Sequence, residues 1–246
     1  MGEDEDGSRS SGGDIPRVDP RPDPRRVDYD GDGLTESALL PSPYAQARAW
    51  VDDAVARAEH SGDVFEPLAI SVATVDADGR PNVRTVLMRF LDERGPGFVT
   101  ALTSTKGREL TGTSAVAASL TWPAMYRAIR FRGHALEVSR AEVEEYFDSR
   151  PWASRISAWA SQQSEPIGSR AELEAQYATQ AAAFPDHGRD DDVPVPDFWG
   201  GFRIVPDEVE FWAGRRNRLH DRLVFTRVGG GDLADPASWE VSRRQP

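Results

Sequence analysis

Arg218, His220 and Arg222 stand at alternate positions near the end of a 246-residue chain, in the stretch Glu210-Phe211-Trp212-Ala213-Gly214-Arg215-Arg216-Asn217-Arg218-Leu219-His220-Asp221-Arg222. On a β-strand, alternate side chains share a face. Two guanidiniums and an imidazole on one face repel each other and lose hydration if they are buried without an anion. Such a face suits a phosphate or carboxylate ligand, with His220 able to handle a proton. The same spacing also reads as an exposed basic strand end in water.

Two other groups have chemistry at useful spacing. Ser104-Thr105-Lys106-Gly107 places two hydroxyls and an ammonium where a strand turns into a helix, and helix N–H groups there favour an anion. An ordinary Ser-capped surface helix is the alternative. Lys106 is the only lysine, so 28 of the 29 basic residues are arginine. Tyr146, Arg150 and Ser154 offer a phenol, a guanidinium and a hydroxyl, all suitable phosphate donors. They read equally as polar faces of an amphipathic helix pair. No metal site is expected. Asp28 to Gly33 resembles the start of a calcium loop, but its twelfth position is Leu39 and not Glu. Asp190-Asp191-Asp192 reads as a solvated loop.

Bulk composition narrows the classes. A net charge of −12 argues against non-specific nucleic-acid binding, and residues 1–36 alone hold 11 acids against 5 arginines. The absence of Cys excludes disulfides and thiolate catalysis. No apolar run is long enough to span a membrane, so a cytoplasmic protein is expected.

The elements that must position these residues follow from local signals. Residues 1–24 have almost no apolar side chain and are expected to be disordered. Residues 25–41 form an arm, and residues 42–246 one domain. Ser42-Pro43 opens a helix that ends near Gly62. Residues 68–74, 82–90 and 97–101 read as strands joined by short turns, which predicts an antiparallel meander closing into a barrel. On the second strand Arg84, Val86 and Met88 share one face, and Thr85, Leu87 and Arg89 the other. Strands over 115–122 and 126–138 follow. Helices are predicted from the Ser139 capping box to Ser149, over 152–164, and from the Ser169 capping box to Phe184. The last strands run from Trp199 to Arg243.

Several motifs in order resemble the pyridoxamine 5′-phosphate oxidases. They are Arg84-Thr85-Val86-Leu87-Met88-Arg89, the run from Ser149-Arg150-Pro151 to Ser169-Arg170, Trp199-Gly200-Gly201-Phe202-Arg203, and Glu210-Phe211-Trp212 with Arg218-Leu219-His220-Asp221-Arg222. The resemblance implies an α+β, mainly β fold: an antiparallel split β-barrel with flanking helices, homodimeric, with FMN at the interface. It implies oxidation of a small phosphorylated pyridine, pyridoxamine or pyridoxine 5′-phosphate, with O₂ as acceptor and H₂O₂ released. It places the cofactor on Arg84, Thr85, Val86, Leu87, Met88, Arg89, Thr100, Ser104, Thr105, Lys106, Gln163, Ser164, Trp212 and Arg222. The substrate falls to Arg26, Tyr29, Arg89, Tyr146, Arg150, Ser154, Arg218 and His220, the last two being catalytic. The arm would cover the substrate.

This chain departs from the family pattern near the flavin. Arg89 replaces a usual Lys, Thr105 an Arg, Val99 a frequent Tyr and Ala128 a Gln; Ala213 also differs. These changes would suit the alternative of a flavin-dependent oxidase in a secondary-metabolite, phenazine-like pathway. A non-catalytic flavin-binding protein is the third reading.

Overall fold

The structure is a computed structural model that describes residues 28–246. The expected 1–24 tail, the start of the arm and Arg26 lie outside the described residues.

Helix α1 (Pro43–Ser61) starts where its cap chemistry directs. Ser42 Oγ accepts from the Ala45 N–H, Pro43 fills the first turn, and left-handed Gly62 closes the helix. Its buried face, Ala47, Trp50, Val51 and Ala54, lies on the sheet, with Trp50 edge-on to Phe211 at 5.4 Å. Strands β1 (Ala69–Val75) and β2 (Pro81–Leu87) form a hairpin whose turn is held by the Asp76 carboxylate. That group accepts from the Asp78 and Arg80 N–H groups at 2.9 and 2.8 Å.

The chain then changes sheet partners. Residues 82–90 were expected as one strand, but pairing stops at Leu87 and resumes in β3 (Phe90–Asp92) against β4 (Gly95–Ala101). At the crossing, Met88 donates its N–H to Leu68 and Arg89 donates to Gly97, both at 2.8 Å. Adjacent residues thus bond to opposite ends of the sheet. Beyond β4 come α2 (Thr105–Thr113), β5 (Ala115–Trp122) and β6 (Arg127–Glu137). Three helices follow, α3 (Arg140–Asp148), α4 (Trp152–Ala160) and α5 (Arg170–Ala183), then β7 (Trp199–Ala213), β8 (Asp221–Arg227) and β9 (Trp239–Arg243).

The strand order is β2-β1-β5-β6-β7-β4-β3, with β8 on β7 and β9 on β8, and every pairing is antiparallel. The sheet is open, yet its edge strands β2 and β3 are consecutive in sequence. This is the α+β, mainly β split barrel that the sequence led us to expect. Strand β7 is the spine. Residues 199–203 pair with β4 and 208–213 with β8, while β6 runs along its other side. Pro206, which has no N–H, falls in the gap between those two pairings.

The barrel core holds Phe98, Leu120, Ile129, Phe131, Phe211 and Phe225. A second cluster, centred on Phe147, Ile156 and Trp199, packs α3, α4 and α5 against the spine.

Two further expectations are corrected. Helix α4 ends at Ala160 and not at Ser164, because Ser161 is extended and Ser164 left-handed (φ 76°). Polar contacts described below hold this segment outside the helix. Arg218, His220 and Arg222 do not share a strand face. Asn217 and Arg218 are left-handed (φ 58° and 61°) in a 3₁₀ turn, and β8 begins only at Asp221.

The β3–β4 hairpin depends on Gly95, at φ 128°, where a Cβ would lie 2.0 Å from the Ile204 carbonyl oxygen. Gly95→Ala should cost about 1–3 kcal/mol. Thermal unfolding would read this as a Tm lower by several degrees. An unchanged Tm would show that β7 yields at no cost.

Candidate active site

A cleft of about 710 Å³ opens between the spine and α3–α4. Arg89 enters it from the strand crossing, Tyr146 and Arg150 from the end of α3, and Ser154 from α4. Thr100 of β4 and Gln163 of the segment after α4 line it as well. Its aromatic wall is ordered: Tyr146 stacks on Trp199 at 6.2 Å with planes 9° apart. The Arg89 guanidinium lies over the Tyr146 ring at 5.7 Å, and that of Arg150 over Trp199 at 4.8 Å. Arg150 Nη1 is buried with no hydrogen-bond partner. Burial pushes the Arg150 pKa down, and the nearby positive charges of Arg89 and Arg155 add to the shift. A buried cation without an anion is unstable relative to one with an anion, so this wall fits a phosphate.

The second cation lies beneath the Thr100–Gln163 end of the cleft. Ser104 caps α2 by accepting from the Gly107 N–H at 3.2 Å. Lys106, only 6% exposed, donates to Gln163 Oε1 at 2.8 Å, Thr100 Oγ1 at 2.9 Å and Ser104 Oγ at 3.3 Å. The Thr105 N–H donates to Ser164 Oγ at 3.2 Å. These contacts draw residues 161–164 out of α4. All three partners of the ammonium are neutral. Burial, reinforced by the Arg84 charge, lowers its pKa to about 8. Gly107 lets α2 start this close to β4, since a Cβ there would sit 2.2 Å from the Leu102 carbonyl oxygen.

The other expected residues fall into different places. Leu87 lines the cleft, Met88 is in the core with Val86 packed against it, and Thr85 is exposed on β2. Arg84 pairs with Glu109 at 3.1 Å. Trp212, Arg218, His220 and Arg222 do not line the cleft of their own chain. Instead Tyr29 of the arm packs edge-on to Trp212 at 6.0 Å, His220 at 5.3 Å and Tyr126 at 5.2 Å. His220 Nδ1 accepts the Arg215 N–H at 3.0 Å, which puts the proton of the neutral ring on Nε2. Burial, then Arg218, lowers the His220 pKa. Arg222 pairs with Glu210, whose side chain is 4% exposed, at 2.6 Å, and Arg130 shares that carboxylate. Arg215 pairs with Asp221 at 2.7 Å and Arg216 with Asp30 at 2.8 Å.

Sequence reasoning missed these carboxylates. Glu210 carried a signal: it is the one acid in an otherwise apolar run from Val209 to Ala213. Trp199 was read as a motif residue and not as the cleft wall. Among the described residues no three His, Asp or Glu side chains are grouped as a metal would need. No helix among them is long and apolar enough to cross a membrane.

Comparison with known proteins places the chain. Residues 57–181 match a family model described as pyridoxamine 5′-phosphate oxidase. Residues 199–246 match one described as the pyridoxine 5′-phosphate oxidase C-terminal dimerisation region. A pyridoxine/pyridoxamine 5′-phosphate oxidase of Kineococcus radiotolerans is 46% identical over 90% of this chain and 97% of its own length. That of Streptomyces avermitilis is 44% identical over 93% and 98%. Among solved structures, PhzG from Burkholderia lata 383, in complex with tetrahydrophenazine-1-carboxylic acid, superposes with a TM-score of 0.74. It is 30% identical, covering 88% of this chain and 99% of that one. A pyridoxamine 5′-phosphate oxidase-related, FMN-binding protein from Nostoc punctiforme shares the fold, with a TM-score of 0.63 at 18% identity over 85% and 100%.

Lys106 makes the site testable without any ligand. Its pKa is lowered from 10.5 to about 8 on folding, so the unfolded chain binds more protons between those values. Stability therefore rises with pH across that window, and the cost of the buried charge is full below it. Lys106→Met should raise the Tm of the ligand-free protein near pH 7, and the gain should shrink towards pH 10. A gain independent of pH would mean that the ammonium is not costly where it lies.

Proposed function

The chain belongs to the pyridoxamine 5′-phosphate oxidase family, and on that premise we propose that it oxidises pyridoxamine or pyridoxine 5′-phosphate to pyridoxal 5′-phosphate. FMN is the cofactor and O₂ the final acceptor. The alcohol gives aldehyde and H₂O₂; the amine consumes one water and also releases ammonia. Bound FMN supplies the two-electron redox chemistry.

The observation that carries this reading is the buried, unpartnered Nη1 of Arg150 in a cleft that also presents Arg89, Tyr146 and Ser154. These four groups bind the substrate phosphate and so set the distance of the reacting carbon from the cofactor. Lys106, Thr100, Ser104, Gln163 and Ser164 hold the FMN, with Arg84 close to its phosphate. The protein works as a homodimer with FMN between subunits, and the second copy brings Trp212, Arg218 and His220 to the cleft. Their separation from the cleft within one chain supports that arrangement, as does the dimerisation-region match. His220 acts as a hydrogen-bond donor through Nε2–H, since Nδ1 is taken by the Arg215 N–H. The arm, residues 25–41, covers the substrate, with Tyr29 over Trp212 and His220.

A second reading has specific support. The similarity to PhzG and the small side chains Val99, Ala128 and Ala213 favour a tricyclic, unphosphorylated substrate. The cation pair of the cleft would then have less to bind. Oxygen uptake by FMN-loaded protein separates the two. Turnover confined to the phosphorylated pyridines supports the first reading, and turnover on tetrahydrophenazine-1-carboxylic acid alone replaces it. Within the first, Arg150→Ala should raise KM by about 10–100-fold, the worth of charged hydrogen bonds, with a smaller change in kcat. An unchanged KM would move the phosphate elsewhere.

A further inference from the structure

Arg84 is expected at the cofactor, yet its guanidinium is held by its own protein. Nη1 donates to Thr74 Oγ1 at 2.5 Å and to the Val72 carbonyl at 3.2 Å, and Nη2 donates to Glu109 at 3.1 Å. Glu109 lies on α2, three residues after Lys106, and its side chain is 8% exposed. Its carboxylate also accepts from Thr74 Oγ1 and, at 3.2 Å, from Asn82 Nδ2. One carboxylate therefore ties β1 and β2 to the helix that carries Lys106. We propose that Glu109 is a positioning residue for cofactor binding: it fixes the Arg84 guanidinium against α2, so that a phosphate meets Arg84 and Lys106 in a set geometry. The inference rests on the reading that FMN binds at Lys106.

Three observations support the role. Arg84 spends three donors on protein acceptors, which leaves Nε–H and one Nη2 hydrogen for a ligand. A guanidinium locked on both Nη atoms loses little rotamer freedom when an anion arrives. Thr105 stands where the family has an arginine, so the placement of the remaining cations carries more of the binding. Glu109 also acts by charge. The charged groups felt at Lys106 are Arg84 from β2, which disfavours its protonation, and Glu109 from α2, which favours it. Thr100 and Gln163, its contacts from β4 and the segment after α4, are neutral. The burial that pushes the Glu109 pKa up is outweighed by its hydrogen bonds from Thr74, Asn82 and Arg84, so it stays ionised at neutral pH.

The test is the FMN dissociation constant, read by quenching of flavin fluorescence from pH 6 to 10 for wild type, Glu109→Ala and Glu109→Gln. Glu109→Ala should weaken FMN at least about tenfold near pH 7, as expected for loss of a charge-assisted contact. Glu109→Gln keeps an acceptor for Arg84 but removes the charge. It should bind better than the alanine variant, and its alkaline loss of affinity should begin at lower pH than in wild type. Adding Lys106→Arg, which does not titrate in this range, should remove that alkaline loss. A simple staple would lower Tm without moving the pH limb. Should Glu109→Ala not fold, the glutamine variant alone decides. Wild type that binds FMN together with variants within twofold of it at every pH overturns this inference and leaves the flavin reading standing. Wild type that does not bind FMN overturns both.

Discussion

A cation taken out of water must find a negative partner, and this chain carries 28 arginines and one lysine. Several of its arginines are matched inside the protein. Arg203 reaches Asp92 at 2.9 Å and Glu142 at 3.1 Å, which ties the β3–β4 hairpin and the start of α3 to the spine. Arg222 has Glu210, and Arg215 has Asp221. Other cations have no carboxylate. Arg155, buried in α4, donates only to the Asp190 and Arg189 carbonyls, and its Nε has no partner. Arg150 keeps a buried Nη1 without a partner, and Lys106 is surrounded by neutral oxygens. These last two lie at one cleft, which is why the proposed phosphate sites are placed there.

The split in the sheet serves the same end. The crossing at Met88 and Arg89 sends one side chain into the core and the next into the cleft. A continuous strand over 82–90 would keep both on one sheet. Strand β7 likewise pairs with β4 beside the cleft and with β8 beside the Trp212–His220 cluster. Both halves of the proposed dimeric site therefore hang on one rigid element.

Local chemistry in the sequence was legible where neighbours along the chain decide the outcome. Ser42-Pro43, the Asp76 turn and the Ser139 and Ser169 capping boxes all lie where their side chains direct them. Tyr146, Arg150 and Ser154 also line one cleft. The failures share a cause, in that distant partners decided them. Strand β2 ends because Leu68 and Gly97 compete for consecutive N–H groups. Helix α4 stops short because Lys106 and Thr100 hold Gln163. The basic triad at 218, 220 and 222 disperses because Arg222 finds Glu210, because the flanking Arg215 and Arg216 find Asp221 and Asp30, and because Asn217 tolerates a left-handed turn. Leu68, Gly97, Lys106 and Asp30 lie far along the chain from the residues they hold, and Glu210 and Asp221, though nearby, are brought to their arginines only by the β7–β8 pairing.

The solitary lysine has a meaning for what leaves the enzyme. Aldehydes condense with neutral primary amines to form imines, and an ordinary protein surface offers many ε-amino groups for that capture. Here the one ε-amine is sealed at 6% exposure, and guanidiniums occupy the basic positions elsewhere. The aldehyde product proposed above would cross a surface with no lysine to trap it, and would leave the protein free rather than as an imine on it.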